Sequence, residues 1–310
     1  DKMVLTNDNV SFTVASDSLT GSVMMDGNMT VALSDLQHAP SADNRLLYNA
    51  AMKKVRDAAE NVAKYSDFVQ FVGGGNKTVK LENELLTLDL SSKGGQIAKA
   101  TLKKYNAFQH GKDGNCVLFD SKHNSYGFAI NTDTHRFDTK EFNFTPVQEN
   151  DSTVLMKLDF GKGVYFGIRY TLPKNSYLVR MEVVQQNMAA VISSNVSMDF
   201  EWSQKMMRHE KGQTFEERNS GVFYKFSGDN VENLSETSND EDKTNNNLKW
   251  VAFKYQFFSC VLIADQHFIG AAPMKSTVID KNSEEHNDFL KDVSFNSSLE
   301  YNVNNPKPAA

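Results

Sequence analysis

Apolar residues in this chain recur mostly with a period of two, in short runs separated by turn residues. From Glu84 to Leu90 the residues Leu86, Leu88 and Leu90 fall on one face, the mark of a strand with one buried side. Similar runs follow at Ile97 to Leu102, Cys116 to Phe119, Tyr126 to Ile130, Phe142 to Val147, Val154 to Phe160 and Val164 to Leu172. Two longer strands are predicted next. In Ser176 to Asn187, Tyr177, Val179, Met181 and Val183 share one face and Leu178, Arg180, Glu182 and Val184 the other. In Val191 to Trp202, Val196, Met198, Phe200 and Trp202 oppose Ser197, Asp199 and Glu201, as in an antiparallel sheet exposed on one side.

The densest apolar stretch is Trp250 to Ala264. From Phe257 to Ala264 every position is apolar or small, which predicts a central strand buried on both faces. Trp250 to Gln256 reads as its entering half, with a bend or bulge between. Residues 227 to 249 are polar and predict a long solvated loop. Its consecutive acids Asp240, Glu241 and Asp242 lack the alternating spacing of a calcium-binding loop.

A clear helical period appears only near the N-terminal end. Leu47, Ala51, Val55, Ala58, Val62 and Tyr65 line one face of a helix over 41–65, capped by Ser41 or Asp43. Gly73-Gly74-Gly75-Asn76 reads as a flexible joint. Before the helix, Val10 to Val14 and Thr30 to Leu33 predict a small β-hairpin, with turn signals at Thr20-Gly21-Ser22 and Asp26-Gly27-Asn28. The expected organisation is a hairpin extension over 1–40, a helix and joint over 41–75, and a large all-β, antiparallel sandwich over 76–310.

Composition narrows the function classes. The 310 residues, 40% of them hydrophobic, suffice for a sizeable core. The net charge is −6 with acids and bases interspersed, and no basic stripe suggests a nucleic-acid partner. No window approaches the roughly eighteen apolar residues of a membrane span. The chain opens at Asp1 and ends at Pro308-Ala309-Ala310, so the expectation is a piece of a longer protein whose targeting or membrane segments lie outside it.

Candidate chemistry is sparse. The seven histidines show no metal-ligand spacing, and no Gly-x-Ser-x-Gly elbow is present. No cofactor or metal is indicated. Gly94-Gly95 lacks the Lys-Ser/Thr of a phosphate loop and opens a strand, so it reads as a hairpin or bulge. Cys116 and Cys260 lack CxxC spacing and read as buried thiols in preference to a disulfide. Glu182, Asp199 and Glu201 sit on polar strand faces. Two such carboxylates facing each other would suit glycosidic chemistry; otherwise they are solvated surface charges.

Three segments carry a resemblance. Asn247-Leu248-Lys249-Trp250-Val251-Ala252-Phe253-Lys254-Tyr255-Gln256-Phe257-Phe258, Leu81 to Ile97 with its Gly94-Gly95 turn, and Tyr170-Thr171-Leu172-Pro173-Lys174-Asn175-Ser176-Tyr177 resemble, in order, segments of the periplasmic domain of YidC-type membrane protein insertases. The likeness covers about residues 77–305. It implies a β-supersandwich like that of galactose mutarotases, with Gly94, Gly95, Trp250, Phe257 and Phe258 as core signature. It also implies a place on the periplasmic side of a bacterial inner membrane, with transmembrane helices before residue 1 and after residue 310. The implied partners are Sec-translocon accessory proteins and nascent membrane proteins. In this reading the domain assists insertion without catalysis, and Arg169, Arg180, Glu182, Asp199 and Glu201 are candidates for groove or partner contacts. The alternative is a mutarotase-like carbohydrate-binding or carbohydrate-processing protein. A third reading is a surface protein docking through its N-terminal hairpin.

Overall fold

A computed structural model of the chain describes residues 3–7, 10–15, 18–25, 29–32, 42–193, 197–228 and 230–304, with side chains from residue 49 onward except 51, 52 and 55. The chain divides between Val69 and Gln70 into two compact units.

The first unit carries four strands where the turn signals predict two. β1 (Met3–Asn7), β2 (Val10–Ala15), β3 (Ser18–Met25) and β4 (Met29–Ala32) pair in sequence order as an antiparallel meander. Thr20-Gly21-Ser22 lies inside β3, with Gly21 opposite Phe12. Ladder pairing there overrides the local turn preference. Asp26-Gly27-Asn28, Leu33 and Ser41 lie outside the described residues. Helix α1 (Ala42–Tyr65) follows. Lys53, Lys54, Arg56, Asp57, Glu60 and Lys64 are exposed, while Ala58 and Val62 are half-buried and Tyr65 is buried. At these positions that is the amphipathic division the period predicts; the side chains of Leu47, Ala51 and Val55 lie outside the described residues.

Among its described residues the second unit is built of four antiparallel sheets. One joins β5 (Thr78–Glu82), β6 (Leu86–Ser91), β7 (Gln96–Gln109) and β8 (Lys112–Phe119) in order. β9 (Asn124–Asn131) and β10 (Arg136–Asp138) begin a second sheet. β11 (Thr145–Asn150), β12 (Thr153–Gly161), β13 (Val164–Thr171) and β14 (Arg180–Gln186) make a third, again in order. After β15 (Ser197–Met207) comes a one-turn helix, α2 (Gln213–Arg218). β16 (Gly221–Phe226), β17 (Val231–Asn233), β19 (Leu248–Lys254) and β20 (Ser259–Phe268) form the fourth sheet, in the order β17-β16-β19-β20. β18 (Asp240–Thr244), β21 (Ala272–Val278) and β22 (Phe289–Glu300) complete the second sheet, which runs β10-β9-β15-β22-β21-β18.

Two expectations are corrected here. The polar stretch 227–249 contains strands β17 and β18, and the acids Asp240, Glu241 and Asp242 lie in β18, paired to β21. An edge strand needs few apolar residues, because only one ladder and part of one face hold it. The long strand predicted from Ser176 begins at Arg180; residues 176–179 approach it without pairing.

Sheets two and four face each other through aromatic contacts. Trp202 on β15 stacks on Phe253 of β19 at 3.8 Å between centroids, and its indole N–H donates to Asn124 Oδ1 at 2.9 Å. The Gly94-Gly95 turn is fixed from above. Gly95 has φ +60, and a side chain there would meet the Phe144 ring at 2.9 Å, so only glycine fits. A run of hydroxyls then ties three sheets together. Ile97 N–H donates to Tyr126 Oη, which donates to Tyr170 Oη, which donates to the Gly95 carbonyl at 2.8 Å. Burial holds both phenols protonated by pushing their pKa values up. Lys291 of β22 is fully buried and donates to the Glu217 carbonyl and to Ser220 Oγ at the end of α2. Desolvation lowers its pKa to about 8.

Candidate functional site

The segment read as one buried strand is a hairpin. β19 runs to Lys254, Tyr255 N–H closes the turn on the Phe258 carbonyl at 2.8 Å, and β20 returns antiparallel beside it. β19 is the strand with neighbours on both sides; β20 is the edge of its sheet. The expectation that Phe257 to Ala264 is buried on both faces is therefore corrected. Phe257 is 68% exposed, Val261 47% and Ile263 51%, whereas Val251 and Phe253 are fully buried.

These exposed apolar residues wall a groove of about 500 Å³. β20 and the turn before it, from Phe257 to Ala264, form one wall. The other is formed by Tyr177, Leu178 and Val179 with Met181 and Val183 of β14. The floor is core, including Leu86, Leu102, Phe128 and Trp202. Tyr105, from the long β7 strand, closes one end, with its ring centroid 5.4 Å from Phe258 and 6.4 Å from Tyr177. None of the lining residues is charged. Polar groups are few: Asn124 is 4% exposed and leaves its Nδ2 without a partner. The Cys260 thiol is pushed up to about 12 by burial, as is that of Cys116. Both cysteines are free.

Charged residues adjoin the lining residues Val179, Met181 and Ala264 in sequence without lining the groove themselves. Arg180 Nη2 meets Asp265 Oδ2 at 2.8 Å, and Arg180 Nε reaches Glu182 Oε1 at 3.0 Å. The guanidinium holds the Asp265 carboxyl below its usual range. Lys249 Nζ donates to the carbonyls of Ala264 and Asp265 at 2.7 and 2.6 Å and fastens β20 at mid-strand.

The other charged residues singled out in the sequence lie elsewhere. Arg169 on β13 pairs with Glu149 at 2.8 Å. Asp199 and Glu201 project from β15, in a different sheet from Glu182. Asp199 binds Arg136 at 2.8 Å and Ser298 Oγ at 2.6 Å; Glu201 binds Lys140 at 3.1 Å. The three carboxylates do not converge, and none lines the groove. Among the described residues, no group of three or more His, Cys, Asp or Glu side chains is placed to hold a metal ion. The sequence gives no sign that Tyr105, Tyr177, Leu178, Val261 and Ile263 line a groove: the last four read as strand residues, and a strand's own residues do not show that it ends a sheet.

The model of the YidC periplasmic domain matches residues 78–295. This chain belongs to that family. The family places the domain on the periplasmic side of the bacterial inner membrane. Among relatives named membrane protein insertase YidC, that of Parabacteroides distasonis is 34% identical over 226 residues, 72% of this chain and 34% of its own length. The Bacteroides fragilis protein is 32% identical over 260 residues, 83% of this chain and 40% of its own length. The Porphyromonas gingivalis protein is 30% identical over 268 residues, 84% and 42% respectively. The chain thus spans well under half the length of these insertases. Among solved structures, a galactose mutarotase-like protein of Lactobacillus casei covers 75% of this chain and 98% of itself at TM-score 0.39 and 10% identity. A galactose mutarotase related enzyme of Lactobacillus acidophilus covers 72% and 85% at TM-score 0.36 and 9% identity. Likeness at that level carries no argument about mechanism. No helix among the described residues is long and apolar enough to cross a membrane.

Proposed function

We propose that this YidC periplasmic domain is a non-catalytic holding module that receives apolar segments of membrane proteins in the groove between β14 and β20. The observation that carries this is the uncharged, aromatic-rimmed lining, open to solvent at Phe257, Leu178, Val261 and Ile263. Apolar patches of this kind are costly to leave uncovered and suit apolar partners. Each contact that removes apolar surface from water contributes roughly 25 cal/mol per Å². A charged segment would have to shed its hydration without a compensating partner in the groove. Arg180 and Glu182, which alternate in sequence with the lining residues Val179, Met181 and Val183, are proposed for contacts beside the groove, and Arg169, Asp199 and Glu201 for other surface contacts. Contact with Sec-translocon accessory proteins belongs to the same reading and rests on the family.

The carbohydrate alternative draws no support from the carboxylates, since Glu182, Asp199 and Glu201 are each ion-paired and spread over two sheets. A photo-crosslinking residue at Phe257 or Leu178 in the full-length insertase tests the proposal during synthesis of a membrane protein. Adducts with nascent chains at these positions, and none at Glu201, are expected. Equal crosslinking at all three, or none at any, would end it.

A further inference from the structure

We infer that the groove takes its occupant as an extended strand, added by main-chain hydrogen bonds to the free edge of β20, rather than as a preformed helix. This rests on the proposed holding function and specifies the form of what is held. Successive side chains of a strand point to opposite faces. A groove facing one side of β20 would therefore be lined by alternate residues only. Instead Ser259, Cys260, Val261, Leu262, Ile263 and Ala264 all line it. Consecutive residues border a cleft together only when it runs along the strand's edge, where the unpaired N–H and C=O groups point. Among the described residues β20 pairs with β19 alone.

The edge is also unprotected. Natural edge strands are commonly blunted by proline, lysine or a bulge. From Ser259 to Ile263 there is no proline and no charge, and the register with β19 is regular. Protection begins only beyond it. The ladder shifts between Leu248 and Trp250, Lys249 takes the carbonyls from Ala264 on, and Arg180 grips Asp265. The open stretch therefore suits an occupant of about five extended residues, roughly 3.3 Å each. Charge complementarity defines its composition. The lining contains no ionic partner, so those residues are uncharged, with alternate apolar side chains packing against Tyr177, Leu178 and Phe258. Strand addition of this kind draws affinity from the backbone and selectivity from alternate side chains.

The test titrates the 310-residue chain with three capped peptides. The first is a heptapeptide alternating valine or phenylalanine with threonine. The second is the same peptide N-methylated at every second amide on its hydrogen-bonding edge. The third is a hydrocarbon-stapled apolar helix of equal length. Calorimetry is paired with amide hydrogen exchange. The expected result is binding of the first peptide, at least about tenfold weaker binding of the N-methylated one, and slowed exchange confined to β20 from Ser259 to Ile263. Equal affinity of the methylated peptide, or preference for the staple, overturns the strand mode and leaves the holding function standing. Failure of all three to bind removes both. A dimer that protects the same amides without peptide overturns the inference in favour of a second copy as occupant.

Discussion

β19 and β20 are adjacent strands of one sheet, drawn from the same residue types, and they meet opposite fates. Val251 and Phe253 of β19 are fully buried; Val261 and Ile263 of β20 stand about half exposed. Composition is not the difference. β19 has β16 on its other side and Trp202 stacked above it, whereas β20 has a groove. An apolar strand in the interior is covered by its neighbours, and an apolar strand at a border leaves its side chains to wall a groove.

The sharpest test of that contrast compares two phenylalanines. Phe253→Ala is expected to cost about 3–5 kcal/mol, read as a lowered urea midpoint, because it empties a filled site against Trp202. Phe257→Ala should change stability by less than about 0.5 kcal/mol, since the ring is mostly in water, and should instead weaken binding of apolar peptides. A large loss of stability from the Phe257 variant would break the comparison.

A buried lysine extends it to charge. Lys249 fastens β20 at mid-strand from outside, whereas Lys291 lies wholly inside, on a strand flanked on both sides. Its folded pKa of about 8 lies below the usual 10.5, so folding favours the neutral amine. The penalty is full below about pH 8 and is relieved as pH rises from there to about 10.5. Stability should therefore gain on the order of 3 kcal/mol from this group across that window, and Lys291→Met should flatten the rise. Urea melts of both proteins at several pH values decide it.

Cys116 and Cys260 give a smaller, kinetic version. Both thiols are raised to about 12 by burial, so at pH 8 only about one in ten thousand is thiolate. Labelling should be slow and should accelerate about tenfold per pH unit. Cys260 should react ahead of the fully buried Cys116, and a groove-bound peptide should shield Cys260 alone. The smallest effect is expected at the rim. Arg180→Gln should alter stability by no more than about 1 kcal/mol, while Asp265, relieved of its guanidinium, titrates at a higher pH by carbon-13 NMR.

Much of the fold was legible in residue order. The period-two runs of Leu86, Leu88 and Leu90, and of Met198, Phe200 and Trp202, named the buried faces correctly: all six are less than a tenth exposed. The helix ending at Tyr65 was equally plain. The candidate site was not. Phe257 and Ile263 looked like core because apolarity on both faces has two causes, a strand covered by two layers or a strand whose edge borders an apolar cleft. Local sequence is the same in both cases. Residues 240–244 failed in the opposite direction: polar composition predicted a loop, and a partner strand, β21, made it a ladder.

The amino-acid order alone determined the alternating strands such as Leu86 to Leu90 and Met198 to Trp202 with their buried faces, the glycine turn and the family to which the domain belongs, because these depend on side-chain alternation and on backbone angles set within a few residues. Only the tertiary structure decided which strand would lie at a sheet's border, which carboxylates would be neutralised by distant arginines and lysines, and where an uncharged groove would open. Those outcomes depend on partners brought together by sheet pairing from far along the chain, and no short window of residues contains them.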